Sequence, residues 1–298
     1  MIENFFVNNV PFDEKIFSFF EGPYLQEVKE ELLRESMVRV EEIDIYFYIN
    51  ISSIHCELKP FNSKRINVGI IMDEYYPENE DLLDIFSYVF QSYLSVIKTK
   101  ARYFHFPLGY GSNFMPKDIN KLSSRTYNVF FSGNLHMGRK DFFKSLSWLG
   151  HLPFPVAHRI QHLIGNRYDH VFANSYIRFT NGFSKGLDSK RYSELLYDSK
   201  IVICPPGIAQ PESFRLYEAM RAGCIIITNG LPDKPFYRGI PVVIVNEWRD
   251  LKQVVTELLE CQSDEQDNMQ ANAIGWWEKH FAPHAVATKI FSSIDSPG

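Results

Sequence analysis

The stretch Ile201-Val-Ile-Cys-Pro-Pro-Gly207, running on through Ile208-Ala-Gln-Pro-Glu-Ser213 to Phe214-Arg-Leu-Tyr-Glu-Ala-Met-Arg-Ala-Gly-Cys-Ile-Ile-Ile-Thr228, decides how the chain is read. A buried strand enters a Pro/Gly loop that cannot continue as a helix. Ser213 then stands where an N-cap belongs, and the helix that follows is closed by Gly223. Cys224 to Thr228 returns to a second apolar strand. A strand, a helix and a strand in such close succession make the crossover unit of a parallel sheet.

The same alternation extends outward in both directions. On the C-terminal side come a strand over Val242 to Val245 and a helix over Trp248 to Leu259. On the N-terminal side a helix spans Arg191 to Leu196 and a strand Tyr127 to Phe131. The latter is followed by a turn at Ser132-Gly133-Asn134 and a helix through Phe142, Phe143 and Leu146. Ser112 to Arg125 is polar and aperiodic and reads as a linker. Before it, helical spacing is expected over Glu21 to Met37 and again over Leu82 to Ile97. Val38 to Ile51 is rich in β-branched and aromatic residues, and Ile66 to Met72 is a buried strand ended by Asp73-Glu74. Phe104 to Leu108 is a further strand, closed by Gly109-Tyr110-Gly111, which carries two glycines of a dinucleotide fingerprint but lacks its third. Two α/β domains follow, residues 1–120 and 121–275, with 276–298 as a C-terminal helical segment. A ligand is expected in the cleft between them, at the carboxyl ends of the strands.

Composition narrows the function. The chain has 298 residues, 45% hydrophobic and 15% aromatic, so it folds. Its 31 Lys and Arg against 36 Asp and Glu give a net charge of -5, which argues against a general nucleic-acid binder. The four cysteines, 56, 204, 224 and 261, are far apart and read as free thiols in a reducing compartment. No apolar run approaches the length of a membrane span and the first residues do not form a signal peptide, so a cytoplasmic protein is expected, with peripheral membrane contact left open.

At the start of the helix after Ser213, unpaired backbone N–H groups form an anion site, and Arg215 adds a planar fork matched to phosphate oxygens. Glu218, three residues on, shares a helix face with Arg215; its carboxylate suits two vicinal ribose hydroxyls. The bland alternative is a surface ion pair between the two on an ordinary amphipathic helix.

The run from Ser213 to Ile225 resembles the donor-binding motif of GT-B glycosyltransferases, most closely the exostosin-like family. Tyr127 to Asn134 with Arg139, and Lys234-Pro-Phe-Tyr237 with Val242 to Trp248, resemble that family's flanking blocks in the right order. The likeness covers residues 125–260 well and the first 120 loosely. It implies two Rossmann-like domains facing across a cleft, with the C-terminal helix returning to the N-terminal domain. It also implies an inverting, metal-independent transfer of a hexosyl or pentosyl group from a UDP-sugar to a glycan hydroxyl, with no cofactor. Alternatives are a retaining GT-B enzyme and an inactive binding module. The retaining reading is weakened because Glu212 and Glu218 are six apart rather than eight.

The implied donor set is Gly133, Asn134, Arg139, Pro206, Gly207, Ser213, Phe214, Arg215 and Glu218. Arg215 and Arg139 would stabilise the departing diphosphate, and Gly133-Asn134 would offer backbone donors. The base is expected from the N-terminal domain, at Asp73 or Glu74, with His136 as second candidate. No Asp-x-Asp follows a strand, so no metal is predicted. His158 and His162 lack a third ligand for zinc.

Overall fold

The computed structural model describes residues 5–35, 42–60, 64–76, 79, 81–94, 102–164, 167–182, 185–208 and 210–295. It divides into two compact units, Met1–Ser112 with Lys234–Arg238 and Lys279–Gly298, and Asn113–Asp233 with Gly239–Glu278. Each is a Rossmann-like layer of parallel strands and helices, the fold class that the sequence leads one to expect.

The N-terminal unit has a six-stranded sheet in the order β2-β1-β3-β4-β5-β6. Its strands are β1 (Phe5–Val7), β2 (Val10–Pro11), β3 (Ile43–Ile49), β4 (Ile66–Met72), β5 (Tyr88–Gln91) and β6 (Tyr103–His105). Among the described residues of this sheet only β1 and β2 pair antiparallel, through Asn8-Asn9, whose φ values of 47° and 66° suit a tight hairpin turn. Helix α1 (Gly22–Glu35) buries Tyr24, Leu25, Val28 and Leu32, the stripe its spacing predicts. α2 (Ile51–Ile54) and α3 (Leu82–Ile85) are single turns. The helix expected over 82–97 is therefore mostly wrong. Phe86 leaves it with φ -116° and ψ 143°, and the chain continues as β5. Phe86 is buried against Gly69 on β4, where a Cβ would lie 2.8 Å from its ring, so tertiary packing rather than helical periodicity sets its place. Leu83, Phe86 and Phe90 match helical spacing by coincidence.

The C-terminal unit has five parallel strands in the order β11-β10-β9-β7-β8. They are β7 (Tyr127–Asn134), β8 (Ser175–Thr180), β9 (Ser199–Ile203), β10 (Ile225–Thr228) and β11 (Val243–Ile244). β7 lies between β8 and β9, so successive crossovers leave it in opposite directions and open a crevice at its carboxyl end. Its helices are α4 (Lys140–Leu146), α5 (Phe154–Ile164), α6 (Ser189–Tyr197), α7 (Phe214–Arg221), α8 (Leu251–Glu260) and α9 (Ser263–Trp276). Phe142 anchors the core, 4.9 Å from the rings of both Phe131 and Trp248. Ser132-Gly133-Asn134 is the end of β7 rather than a turn after it.

The expected linker is also corrected. Arg125 is buried and donates to Ser199 O at 2.8 Å and Ala222 O at 2.7 Å, and Leu122 is fully enclosed. Residues 113–125 are thus part of the C-terminal unit. Trp276 and Trp277 stay there too, Trp277 with Arg221 5.5 Å over its ring. The chain rejoins the N-terminal unit at Lys279, where α10 (Pro283–Asp295) packs on α1. Tyr24 Oη donates to Phe281 O at 2.7 Å just before it. No helix among the described residues is long and apolar enough to cross a membrane.

Candidate functional site

Every residue of the expected donor set lies in the C-terminal unit, and the crevice at the end of β7 brings its centre together. β7 ends in Gly133-Asn134, the loop after β9 carries Pro206 and Gly207, and α7 starts at Phe214. Arg139 ties two of these together, its Nε donating to Pro206 O at 2.9 Å and its Nη1 to Asn134 O at 2.8 Å. Asn134 in turn accepts from Gly182 N at 3.0 Å through Oδ1.

Arg215 enters from the first turn of α7. Its guanidinium carbon sits 4.8 Å from the centre of the Phe131 ring, and that of Arg139 sits 5.8 Å from the same ring. Nη2 of Arg215 donates to Ser132 O, whereas Nε and Nη1 are buried and donate to nothing in the protein. Gly133 makes this possible. A Cβ there would stand 2.7 Å from Arg215 Nη2 and 3.0 Å from Arg139 Nη1, so glycine is what admits both guanidinium groups. Two cations side by side, with donors left over and only an aromatic face beneath, call for an anion.

Ser213 has the extended backbone of an N-cap, φ -146° and ψ 147°, but its side chain makes no capping bond. No acidic residue occupies the first turn of α7, although the buried carboxylate of Glu212 directly precedes Ser213. Glu218 is not a surface partner of Arg215. It is 1% exposed and accepts from Tyr192 Oη at 2.6 Å through Oε2. The surface ion-pair alternative therefore falls, and Tyr192, on α6, is a partner of Glu218 that the sequence does not reveal.

His136 follows β7. Burial and then the Arg139 charge push its imidazole down to about 4, and Nε2 is enclosed without a partner. It is neutral at physiological pH, and the neighbouring cation opposes its taking up a proton. This is a poor setting for a base and a good one for a neutral hydrogen-bonding group.

Asp73 and Glu74 lie in the N-terminal unit, directly after β4. Asp73 is buried and committed to backbone, Oδ2 accepting from Ser52 N at 2.6 Å and Oδ1 from Tyr75 N at 2.9 Å. Glu74 is half-buried beside it. Near Asp73 lies Glu21, an acid just ahead of α1 that sequence alone presents as an ordinary helix-start residue. Among the described residues, no three His, Cys, Asp or Glu side chains are grouped as a metal site requires.

No protein-family model matches this sequence, and no curated protein matches it. Among solved structures, it is similar to the accessory secretory proteins 1, 2 and 3 of Streptococcus pneumoniae at 7% identity and a TM-score of 0.50, over 91% of this chain and 56% of that one. AviGT4, a glycosyltransferase involved in avilamycin A biosynthesis, gives 10% identity and a TM-score of 0.49 over 93% and 89% of the two chains. Sucrose-phosphate synthase from Thermosynechococcus elongatus gives 11% and 0.48 over 96% and 80%. At these identities a likeness bears on fold alone, and of the three the pneumococcal structure is close enough to bear on it.

Proposed function

We propose that this protein is a glycosyltransferase of GT-B type that moves a hexosyl or pentosyl group from a UDP-sugar to a glycan hydroxyl. The transfer inverts the anomeric centre and uses no metal. The observation that carries this reading is Arg215, held beside Arg139 over Phe131 with Nε and Nη1 unsatisfied. A diphosphate offers the oxygens those donors lack, and the start of α7 adds backbone N–H groups to the same charge. As the sugar departs, negative charge accumulates on the diphosphate, where two fixed cations stabilise it without reorganising. Glu218, oriented by Tyr192, supports the ribose assignment, since a carboxylate only accepts hydrogen bonds and offers about four lone-pair sites to donors such as hydroxyls. The resemblance of residues 213–225 to the exostosin-like donor motif supports UDP and inversion.

Calorimetry with UDP, GDP, CMP and NAD, on wild type and Arg215→Ala, tests the reading. Binding of one nucleoside diphosphate that the variant loses supports it, and binding of NAD alone overturns it. Proton coupling at the anomeric position of the product then separates inversion from retention. Nucleotide binding without turnover of any nucleotide-sugar would identify a binding module instead.

A further inference from the structure

We propose that the outward side of α4, α5 and the turn that joins them, all within the C-terminal unit, is a docking surface for an anionic membrane. This goes beyond the transferase reading and does not rest on it.

Trp148 to His151 form a single 3-10 turn between the two helices and pack against both. Gly150 allows the close approach, since a Cβ there would lie 2.3 Å from the Cα of Lys144. The inward side of this layer is settled by the core. Leu149, Ala157 and Gln161 are buried, and Phe154 and Ile160 pack on the same cluster. Val156, Arg159 and Leu163 recur at i, i+3 and i+7 and therefore share the opposite face of α5. Among the described residues the two most exposed large apolar side chains of the whole protein lie here, Leu163 at 85% and Trp148 at 68%. Val156 is exposed beside them. Apolar side chains left in water on one layer mark an interaction surface rather than a packing accident.

Charge identifies the occupant. The chain as a whole is acidic, at -5, yet from Lys140 to Arg167 it carries Lys140, Lys144, Arg159 and Arg167 against a single acid, Asp141. Lys144, Arg159 and Arg167 are exposed. Acids on the adjoining elements are engaged elsewhere. Asp169 accepts from Arg178 and from Ile177 N, and Glu247 and Asp250 both face Arg249, at 2.8 Å and 3.8 Å. A surface that combines Lys and Arg with Trp, Val and Leu matches the boundary between lipid headgroups and acyl chains. The cations meet the phosphates, the aliphatic side chains enter the hydrocarbon, and an indole suits the level between them. A nucleic acid would use the cations and leave Val156 and Leu163 in water. A second copy of this chain, placed on the same face, would bring like charges together.

The test is sedimentation of the full chain with vesicles of phosphatidylcholine alone and of phosphatidylcholine mixed equally with phosphatidylglycerol. No sugar nucleotide is added, so the result stands apart from the donor site. Wild type should bind the mixed vesicles at about 0.1 M salt and lose most of that binding at about 1 M, as the Debye length falls from about 10 Å to about 3 Å. Lys144→Gln and Arg159→Gln should each weaken binding about fivefold. Leu163→Ser should weaken it about tenfold. Because these side chains are exposed, urea midpoints and UDP affinity should match wild type. Tryptophan fluorescence locates the contact. Trp248 and Trp277 are buried, so a blue shift on vesicle binding should come from Trp148 and vanish in Trp148→Phe while binding persists. A blue shift that survives in Trp148→Phe would place the contact on another face and overturn the proposal. So would equal binding to phosphatidylcholine alone, or undiminished binding in the Lys144→Gln/Arg159→Gln double variant. Binding of single-stranded DNA without binding of vesicles would assign the cations to nucleic acid. Self-association that Leu163→Ser abolishes, again without vesicle binding, would assign the face to a second copy; either result also overturns the proposal.

Discussion

At the carboxyl edge of the C-terminal unit's sheet, two guanidinium groups share the face of Phe131, and one of them has donors to spare. At the corresponding edge of the N-terminal unit's sheet two carboxylates, Glu21 and Asp73, are buried, and Glu21 Oε2 is an enclosed acceptor without a hydrogen-bond partner. Two sheets of the same kind thus carry sites of opposite polarity. The first lacks an anion. The second lacks a hydrogen-bond donor.

The comparison breaks most readily at Arg215. Arg215→Ala removes the two open donors and their charge, and UDP affinity should fall by about 10²- to 10³-fold, as expected for two charge-assisted hydrogen bonds. Arg215→Lys should recover only part of that loss, because a point charge replaces a planar fork. Calorimetry measures both. Equal affinity in Arg215→Ala would mean that the spare donors are a defect of packing rather than a site.

The N-terminal unit yields the next largest effect, with an unusual sign. The Glu21 carboxyl is raised from 4.5 to about 7 on folding, so the native state holds its proton longer than the unfolded chain. The stability it contributes is therefore complete below about 4.5 and is lost as the pH rises through 7. At pH 8 Glu21→Gln should be more stable than wild type by about 3 kcal/mol, and at pH 4.5 the two should coincide. Urea titrations at the two pH values read this directly. A variant less stable than wild type at pH 8 would mean that the carboxylate is well satisfied in the native protein.

Glu218 supplies a control of the opposite kind, a buried carboxylate that is provided for. Tyr192→Phe removes the hydrogen bond to Oε2 and should destabilise the protein by about 2 kcal/mol, the range for a hydrogen bond to a charged group. If denaturation midpoints of wild type and Tyr192→Phe agree, solvent must reach Glu218, and its place in a dry ribose site is lost.

What the sequence reveals of these two edges differs for physical reasons. The segment from Ile201 to Thr228 declares itself, because a strand, a Pro/Gly loop, an N-cap position and a helix all leave local signals. Arg215 is legible because it sits in the first turn, where its chemistry follows from position. Tyr192 and Ser132 are not, since they reach the site through strand pairing and helix packing between distant segments. α9 escapes notice for another reason. Its buried residues are Gln266, Gln270 and Ala273, and the two glutamines donate to Leu258 O at 2.9 Å and Gly223 O at 3.1 Å, so no long apolar stripe marks it. Glu21 is hidden more deeply. An acid ahead of a helix is common, and what distinguishes this one is an enclosed Oε2 without a hydrogen-bond partner, a property of the fold that no local pattern encodes.

The finest test of the cationic edge is a single methyl group. Gly133→Ala keeps every charge and every donor, but its Cβ would intrude to 2.7 Å from Arg215 Nη2 and 3.0 Å from Arg139 Nη1. Because β7 is a central, paired strand, its backbone yields less readily than the arginine side chains. The guanidinium group of Arg215 is the more movable, since Arg139 is held by Pro206 O and Asn134 O. Arg215 should therefore swing away, and UDP affinity should fall by about tenfold, or about 1.4 kcal/mol, while the urea midpoint changes little. Adding Arg215→Ala to this variant should then produce no more than the loss seen for Arg215→Ala alone, since the methyl acts through that side chain. Additive losses would mean instead that Gly133 serves the ligand directly, through close approach of its own backbone, and that the two guanidinium groups are not what requires a glycine there.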